Sequence, residues 1–414
     1  MKIYGVGGMV RDSLLGLVPN DFDYVVCGST PEEMLSLGYK EVGADFPVFL
    51  HPTTGCEYAL ARKEYKIGHG YKGFKCSFGP EVTIEEDLER RDLTINAMAV
   101  DLDDNNKLID PFGGEKDLKN GVIKHTSEAF VEDPLRVLRA ARFAARFKFK
   151  ITPDTMTLMT ELVNSGELNE LTPERIWIEV EKALKTDHPG LFFKNLDIVG
   201  ALRIIFPELE RLYGVPQTEK YHPEGCAYIH TMLVLKAVCK MTNDAPTRFA
   251  ALCHDLGKGT TPQEELPSHK GHELRSADMV REIATRWKIP KEYEDLAYIA
   301  ARFHLKVHKL REMKPKKILK LIKQTNALRN TEMFNRFLKV CESDNLGKQR
   351  TEQYKEKEIL LHMVCDILSL DNVAIINGET RGHVIQQLIH NAQLHVVRTI
   401  SNEWKRQQED GQTS

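Results

Sequence analysis

The 414-residue chain contains no apolar run close to the ~20 residues that a membrane-spanning helix needs. Its first residues also lack the long apolar segment of a secretory signal. The eight cysteines are scattered, with no C-x-x-C pair and no framework spacing, which is typical of reduced thiols. These absences predict a cytoplasmic protein with no membrane partner.

A large excess of charge of either sign is also missing, since 57 basic and 60 acidic side chains give a net charge of −3. This excludes a protein coated in positive charge, but not one that binds nucleic acid through a local patch. Two basic stretches exist: 134–150 has six basic residues and no acid, and 309–323 has seven against one acid. Each fits an RNA-facing surface, although a solvated helix face is the usual meaning of such a run.

No internal repeat or low-complexity tract is present, and the length predicts about two to four domains. Short strand-like segments and turns fill 1–115, whereas helical patterns run from about residue 129 almost to the end. The segment 216–225 is rich in Pro, Gly and polar residues, which makes it the best linker candidate.

The first chemistry-bearing feature is the pair Gly7 and Gly8, which follows a short apolar run and precedes a helical pattern. A glycine turn that opens a helix lets backbone N–H groups approach a phosphate closely, and Arg11 adds positive charge there. The arrangement predicts a phosphate-binding turn.

Asp21 and Asp23 lie in a segment that alternates polar and apolar residues, which predicts a half-buried strand. Residues two apart in a strand project from the same face, so the two carboxylates are expected side by side. Mg²⁺ would relieve their repulsion, because it prefers hard oxygen ligands and keeps positions for water and phosphate. Taken alone, such a pair more often marks a solvated acidic strand. The nearby glycine turn makes the metal site the better interpretation.

A second group of polar residues lies in the helical half of the chain. The candidate metal ligands are His230, His254, Asp255 and Asp344. Two imidazoles and two carboxylates suit a transition metal, and open positions would hold a water whose pKa the metal lowers. The residues between them that are expected to contact phosphate are Lys258, His272 and His304. The two histidines of that set could instead be metal ligands.

With both groups in view, the sequence resembles the bacterial tRNA nucleotidyltransferases of class II, the CCA-adding enzymes, in their multifunctional form with an HD domain. The matching motifs are GGMVRD at 7–12, DFD at 21–23, RRDLTINA at 90–97, DPFGG at 110–114, EDPLRVLR at 132–139 and HD at 254–255. The resemblance covers nearly the whole chain.

This resemblance implies an α+β fold, in which a small mixed-sheet head like that of polymerase β precedes all-α neck, body, HD and tail domains. The implied boundaries are 1–125 for the head, 126–215 for the helical neck and nucleotide- or RNA-binding region, 227–328 for the HD domain and 329–414 for the tail.

The implied activity is addition and repair of the 3′-terminal CCA of tRNA with CTP and ATP, with Mg²⁺ held by Asp21 and Asp23. The residues implied to bind the nucleotide are Gly8 and Arg11 at the triphosphate, Arg91 and Asp92 at the ribose, and Asp133, Arg136 and Arg139 at the base or phosphates. Asp133 and Arg136 are expected three residues apart on one helix, where they would match the donor and acceptor edge of a base. Taken alone, the pair is better explained as an intrahelical salt bridge.

For the HD domain, the resemblance implies phosphatase and 2′,3′-cyclic phosphodiesterase activities on RNA ends, with a transition metal such as Ni²⁺. The implied partners are the tRNA 3′ end, CTP and ATP, and the expected oligomeric state is a monomer or a homodimer.

Two other interpretations stay open. A poly(A) polymerase of the same superfamily shares the first four motifs, and an HD metal-dependent hydrolase could carry a head that only binds nucleotide or RNA. The HD domain and the lack of a long basic C-terminal extension favour the tRNA enzyme over the poly(A) polymerase. A small-molecule nucleotidyltransferase would not need so long a helical body.

Overall fold

The computed structural model of the protein describes residues 1–19, 22–42, 48–66, 74–348 and 353–412. Asp21, one of the two expected Mg²⁺ ligands, lies outside these residues. The chain divides into two compact units, Met1–Ile205 and Phe206–Ser414.

The first unit contains a seven-stranded mixed sheet and two short strand pairs. Its described strands are β1 (Lys2–Val6), β2 (Asp23–Cys27), β3 (Lys40–Val42), β4 (Val48–Leu50), β5 (Glu57–Leu60), β6 (Arg62–Lys66), β7 (Phe74–Phe78), β8 (Ala99–Asp101), β9 (Lys107–Ile109), β10 (Val122–Ile123) and β11 (Lys150–Ile151). The sheet order is β3-β4-β5-β2-β1-β8-β9, with β2 and β5 parallel and the other neighbours antiparallel. The pairs outside it are β6 with β7, antiparallel, and β10 with β11, parallel.

Successive residues of β2 pack into different hydrophobic clusters, as the alternation of a strand requires. Val25 joins a cluster that includes Leu88, and Val26 joins another that includes Phe49. Because Asp23 precedes Val25 by two residues, it shares the face of the sheet that Leu88 covers. This face therefore carries the expected metal ligand at its edge.

Nine α-helices of the described residues complete the first unit, besides short 3-10 turns. They are α1 (Gly8–Leu14), α2 (Pro31–Ser36), α3 (Ile84–Glu89), α4 (Gly114–Asn120), α5 (Leu135–Phe147), α6 (Pro153–Asn164), α7 (Pro173–Leu184), α8 (Pro189–Ile198) and α9 (Leu202–Ile205). Local sequence explains several starts: Thr83 and Glu86 form a capping box on α3, and proline opens α6, α7 and α8.

The described residues of the second unit form helices joined by loops, with no strand among them. Its helices are α10 (Pro207–Glu210), α11 (Ala227–Met241), α12 (Ala245–Cys253), α13 (His272–Trp287), α14 (Lys291–His308), α15 (Pro315–Gln324), α16 (Thr331–Gly347), α17 (Lys355–Leu368), α18 (Asn372–Ile376) and α19 (Gly382–Gln412). Helix α12 packs against α11, α14 and α16, which places the ends of four helices around one buried centre. No helix within the described ranges combines the length and the apolarity that crossing a bilayer requires.

The predicted α+β class is confirmed, because a mixed-sheet head precedes a long helical region. The basic stretch 309–323 includes α15, which buries Ile318 and Leu321 and exposes Lys316, Lys317 and Lys320. The lysines thus form a solvated helix face, and their contact with RNA stays a prediction.

Candidate active sites

The predicted glycine turn is present at the end of β1. Gly7 has a φ of +65°, and α1 begins at Gly8. A Cβ on Gly7 would lie 2.9 Å from Nη1 of Arg91, the mobile end of a long side chain, so it is the backbone conformation that requires glycine. In the pairing of β1 with β2, Val6 lies opposite Asp23, which places the exposed Asp23 next to the turn.

Asp23 and the turn line a cleft of about 830 Å³ in the first unit. The lining residues that were predicted from sequence are Gly8, Arg11, Asp23, Arg91, Asp92, Asp133, Arg136 and Arg139. The structure therefore brings together every described residue that was expected at the nucleotide.

Arg11 is buried in the wall of this cleft. Its Nε and Nη2 each lie 2.8 Å from Oδ1 of Asp12, and its Nη1 donates to Oδ1 of Asn96 over 2.5 Å. The guanidinium carbon lies 5.0 Å from the ring centre of Phe143, within the range of a cation–π contact. These contacts hold the guanidinium in place. Its positive charge lies beside the glycine turn, since a Cβ on Gly8 would be 3.5 Å from Nη2 of Arg11.

Asp92 is also buried and accepts a hydrogen bond on each oxygen. Nε of Arg139 donates to Oδ2 over 2.6 Å, and Nδ2 of Asn96 donates to Oδ1 over 3.0 Å. Burial alone would raise the pKa of Asp92, but the charge and hydrogen bond of Arg139 outweigh it and hold the pKa below its ordinary range. Asp92 is therefore ionised, and a carboxylate with about four acceptor sites can still accept a further hydroxyl.

The expectation that Asp133 and Arg136 lie on one helix is wrong. Helix α5 begins at Leu135, and Asp133 keeps an extended backbone because a proline follows it. Oδ1 of Asp133 accepts from the backbone N–H of Leu135 over 3.0 Å, as a cap of the helix start. Oδ2 lies 2.7 Å from Nη2 of Arg175 on α7. Asp133 thus pairs with a different arginine from the one expected.

Arg136 in turn donates to two backbone carbonyl oxygens. Its Nη1 reaches the oxygen of Ala129 over 2.5 Å, and its Nη2 reaches that of Arg90 over 2.7 Å. These bonds connect the start of α5 to the segment that follows α3. In this conformation the guanidinium holds the backbone beside the cleft.

Sequence reasoning gave no individual role to several other cations of the cleft, two of which lie in the basic stretch 134–150. They are Arg62, Arg90, Arg142, Arg146, Arg175, Lys182 and Lys185. Arg139, Arg142 and Arg146 recur every three to four residues along α5, hence on one face, and this spacing is the signal that could have found them. The cations of α7, Arg175 and Lys182, line the cleft as well, but no pattern in the sequence indicates this.

Asp110, the first residue of the DPFGG motif, caps α4. Its Oδ1 accepts from the backbone N–H of Gly114 over 2.7 Å, and its Oδ2 accepts from that of Glu115 over 3.0 Å. The capping role therefore explains this residue.

In the second unit, three buried histidines are oriented in the same way. Nδ1 of His254, His272 and His304 donates to a backbone carbonyl oxygen three or four residues earlier, over 2.7 to 3.0 Å. Because a carbonyl oxygen only accepts, each Nδ1 carries the proton, and each Nε2 of the neutral ring carries a lone pair. Three Nε2 atoms are therefore available as metal ligands.

The Nε2 atoms of these three rings, and that of His230, face the two oxygens of Asp255. Oδ2 lies 3.2 Å from Nε2 of His254 and 3.7 Å from Nε2 of His230. Oδ1 lies 3.1 Å from Nε2 of His272 and 3.4 Å from Nε2 of His304. A single carboxylate therefore separates two pairs of imidazoles.

Asp344 closes the cluster from α16. Its Oδ1 lies 3.0 Å from Nε2 of His230 and 2.8 Å from Nζ of Lys348. Its Oδ2 lies 2.5 Å from Nε2 of His308, and the hydroxyl of Tyr354 lies 2.8 Å from Nδ1 of the same ring. These last two residues, which sequence reasoning missed, hold the carboxylate in place.

The ligand atoms of the predicted residues form two groups, each lying within 4.8 Å: one is His230, His254 and Asp344, and the other is Asp255, His272 and His304. A third such group, His222, Glu224 and His230, shares His230 with the first. Several of these buried atoms have no hydrogen-bond partner among the described residues. They are both ring nitrogens of His230, Nε2 of His254 and His272, and Oδ1 of Asp255 and Asp344. Lone pairs that face each other without a proton repel, and a cation between them removes the repulsion. The donor set thus fits divalent metal, and the structure brings His272 and His304 to Asp255 as well as Lys258, whose Nζ lies 2.6 Å from Oδ2.

Comparison with known proteins identifies three family models along the chain. Residues 3–124 match the poly A polymerase head domain, 148–212 match the probable RNA and SrmB-binding site of polymerase A, and 227–331 match the HD domain. A multifunctional CCA protein from Thioalkalivibrio sulfidiphilus is 47% identical over 409 residues, which cover 98% of this chain and 100% of the relative. The chain belongs to the multifunctional CCA proteins. Another of these CCA proteins, from Nitrosococcus oceani, is 52% identical over 352 residues, covering 85% of this chain and 86% of its own.

Solved structures of CCA-adding enzymes share the fold at low sequence identity. One described as a complex with ATP has a TM-score of 0.61 at 23% identity and covers 96% of this chain and 86% of its own. A Thermotoga maritima CCA-adding enzyme complexed with tRNA has a TM-score of 0.58 at 20% identity, covering 97% and 91%. The CCA-protein fold therefore extends over nearly the whole chain.

Proposed function

We propose that the protein adds and repairs the 3′-terminal CCA sequence of tRNA, using CTP and ATP and no nucleic-acid template. The observation that carries this proposal is the cleft in which Asp23, the glycine turn and nine arginines meet. Such a wall attracts a triphosphate and an RNA backbone. Support also comes from the multifunctional CCA proteins at 47–52% identity and from the structures of CCA-adding enzymes with ATP, CTP and tRNA.

In this proposal, Asp21 and Asp23 hold Mg²⁺. Asp23 fits that role because it is an exposed hard-oxygen ligand at the cleft, one strand pairing away from the glycine turn. When bound, Mg²⁺ would stabilise charge on the attacking and leaving oxygens of the phosphoryl transfer.

The chain itself contributes the positioning of the nucleotide. The backbone at Gly8 and the fixed guanidinium of Arg11 hold the triphosphate, and Arg91 and Asp92 hold the ribose. Because Arg11 already has hydrogen-bond partners in the wall of the cleft, its side chain loses little conformational entropy when the nucleotide binds. The acceptor hydroxyl of tRNA then meets an α-phosphate in a fixed orientation.

For base selection we assign Asp133 as an acceptor and Arg139 as a donor toward the base or the phosphates. Arg175 replaces Arg136 as the cationic partner of Asp133. Arg136 contributes indirectly, because its two carbonyl contacts fix the start of α5.

We further propose that the buried cluster of the second unit hydrolyses phosphate esters at RNA ends, as a phosphatase and a 2′,3′-cyclic phosphodiesterase. His230, His254, Asp255 and Asp344 would hold a transition metal such as Ni²⁺. His272 and His304, at the other oxygen of Asp255, offer ligands for a second ion, and Lys258 would contact the phosphate. When bound, the metal would supply an acidified water and stabilise charge on the phosphate.

We place this chemistry in the cytoplasm, in a monomer or homodimer, with the domain boundaries given by the resemblance. The test measures how much labelled CTP the protein incorporates into a tRNA that lacks its 3′-terminal CCA and into an RNA hairpin of equal length. Incorporation confined to the tRNA is the expected result. Equal incorporation into both RNAs would contradict the proposed substrate.

A further inference from the structure

The segment 216–225, whose composition predicts a linker, is a closed loop beside the histidine cluster. Pro216 and Cys226 form an isolated antiparallel bridge, and the backbone N–H of Gln217 donates to the carbonyl oxygen of Gly225 over 2.9 Å. Nε2 of His269 lies 2.9 Å from the carbonyl oxygen of Pro216. The loop is therefore anchored at both ends, unlike a flexible connector.

Two side chains of this loop reach the cluster. Oε1 of Gln217 accepts from Nζ of Lys258 over 2.6 Å, and the same Nζ lies 2.6 Å from Oδ2 of Asp255. The Glu224 carboxylate is 1% exposed, and its Oε1 lies 2.7 Å from Nδ1 of His230. The HD family model begins only at residue 227, so both side chains lie outside it.

Among the four histidines that face Asp255, His230 is held differently. The other three rings use a backbone carbonyl oxygen at Nδ1, which any residue could provide. His230 has a carboxylate oxygen there instead. At 2.7 Å two lone pairs would repel, so the proton of the neutral ring lies on Nδ1, in close contact with Oε1 although without the geometry of a regular hydrogen bond. Nε2 then keeps its lone pair toward Asp344, 3.0 Å away.

We propose that Glu224 is a positioning residue of the hydrolase site, which fixes the tautomer and orientation of His230 for metal binding. This inference rests on the proposed hydrolase function. A carboxylate behind a ligating imidazole fixes the ring and increases the basicity of its ligand nitrogen. The second imidazole on the same oxygen, Nδ1 of His222 at 2.8 Å, holds Glu224 itself in place. The hydrolase site therefore begins at least three residues before the HD model, which starts at residue 227.

The test uses the full chain and Ni²⁺ as the probe. Replacement of Glu224 by alanine is expected to weaken Ni²⁺ affinity by about 10- to 100-fold in calorimetry, the range usual for outer-shell partners of metal ligands. Hydrolysis of bis(p-nitrophenyl) phosphate should fall with it and recover at higher Ni²⁺ concentration. The matched control is Glu219→Ala, which removes an exposed carboxylate from the same loop.

Unchanged Ni²⁺ affinity in the Glu224→Ala variant would overturn the inference, as would a loss of hydrolysis that no Ni²⁺ concentration restores. A second measurement avoids the question of whether the variant folds. In the metal-free wild-type chain, nitrogen-15 NMR should find the proton of His230 on Nδ1, and a proton on Nε2 alone would overturn the inference. If the wild-type chain binds no Ni²⁺, it is the proposed hydrolase function that fails, whereas the NMR result still reports on Glu224.

Discussion

Arg139 on α5 donates from Nε to Oδ2 of Asp92, over 2.6 Å, and so joins the head of the first unit to the helix that follows it. Asn96 donates to the other oxygen of Asp92 and also accepts from Arg11, which stands beside the glycine turn. A continuous set of charged contacts thus runs from the turn to α5. The expected triphosphate and ribose contacts are parts of one connected wall.

The variant Asp92→Asn is expected to destabilise the protein, because it leaves Arg139 without its charged partner in a partly buried position. The expected loss is about 1–3 kcal/mol, since Arg139 keeps some access to water. Thermal unfolding at pH 7, followed by circular dichroism, measures it. Asp154→Asn, an exposed carboxylate of α6, serves as the control and should change little.

The pH dependence of this loss has a defined sign. The pKa of Asp92 lies below its ordinary value of 3.8 in the folded protein, so its stabilising contribution is complete above that value and is lost as the pH falls below it. The difference in unfolding midpoint between wild type and Asp92→Asn should therefore narrow below about pH 4. A difference that stays constant or widens there would contradict the ion pair.

Asp133→Ala should change the choice of nucleotide more than the binding of triphosphate. Loss of an acceptor at the cleft is worth about 1–3 kcal/mol when it leaves a partner unpaired, which predicts a shift in the ratio of CTP to ATP use by about tenfold or more. Single-turnover incorporation with each nucleotide gives this ratio. An equal decrease for both nucleotides would assign Asp133 to helix capping alone, and Asp187→Ala, an exposed carboxylate, provides the control.

Much of the first site could be predicted from the sequence, because its motifs combine local geometry with chemistry. The glycine turn and the strand at Asp23 follow from short-range patterns, and the pairing of Val6 with Asp23 brings them together. Arg175 could not be found in this way, because it meets Asp133 only after α7 packs against α5. The wrong prediction that Asp133 and Arg136 share a helix has a local cause. Pro134 precedes the first residue of α5, so Asp133 lies outside the helix.

In the second site, the sequence identified the histidines and carboxylates but not how they are held. Composition alone made 216–225 a linker, since it reports turn-forming residues and not the bridge that closes the loop. His308 contacts Asp344, and Tyr354 contacts His308, only through the packing of separate helices. Long-range partners of this type leave no periodic pattern in a single sequence.

The two sites are expected to act independently. His254→Ala and Asp255→Ala should each abolish phosphate-ester hydrolysis and lower bound Ni²⁺, while CMP and AMP incorporation stays within about twofold of wild type, a change worth under ~0.5 kcal/mol. His383→Ala, which removes an exposed imidazole from α19, should affect neither activity. Parallel loss of both activities in the first two variants would count against separate sites.

Asp23→Ala is the reciprocal variant. Loss of a Mg²⁺ ligand should lower nucleotide incorporation by at least about 100-fold, because the charge stabilisation supplied by the metal is worth several kcal/mol. Since Asp23 is exposed, the fold and the hydrolysis should persist. Asp104→Ala, an exposed carboxylate of the same head, is the control. If the Asp23→Ala variant still incorporates nucleotide, the result would support the alternative interpretation, an HD hydrolase whose head only binds nucleotide or RNA.

The length and composition of the added 3′ end test the central claim most directly. A tRNA that lacks its terminal CCA is incubated with the protein, CTP and ATP, and the products are resolved at single-nucleotide resolution and sequenced. We predict the addition of C, C and A in that order, followed by termination. A long run of A without C would contradict this account and identify a poly(A) polymerase.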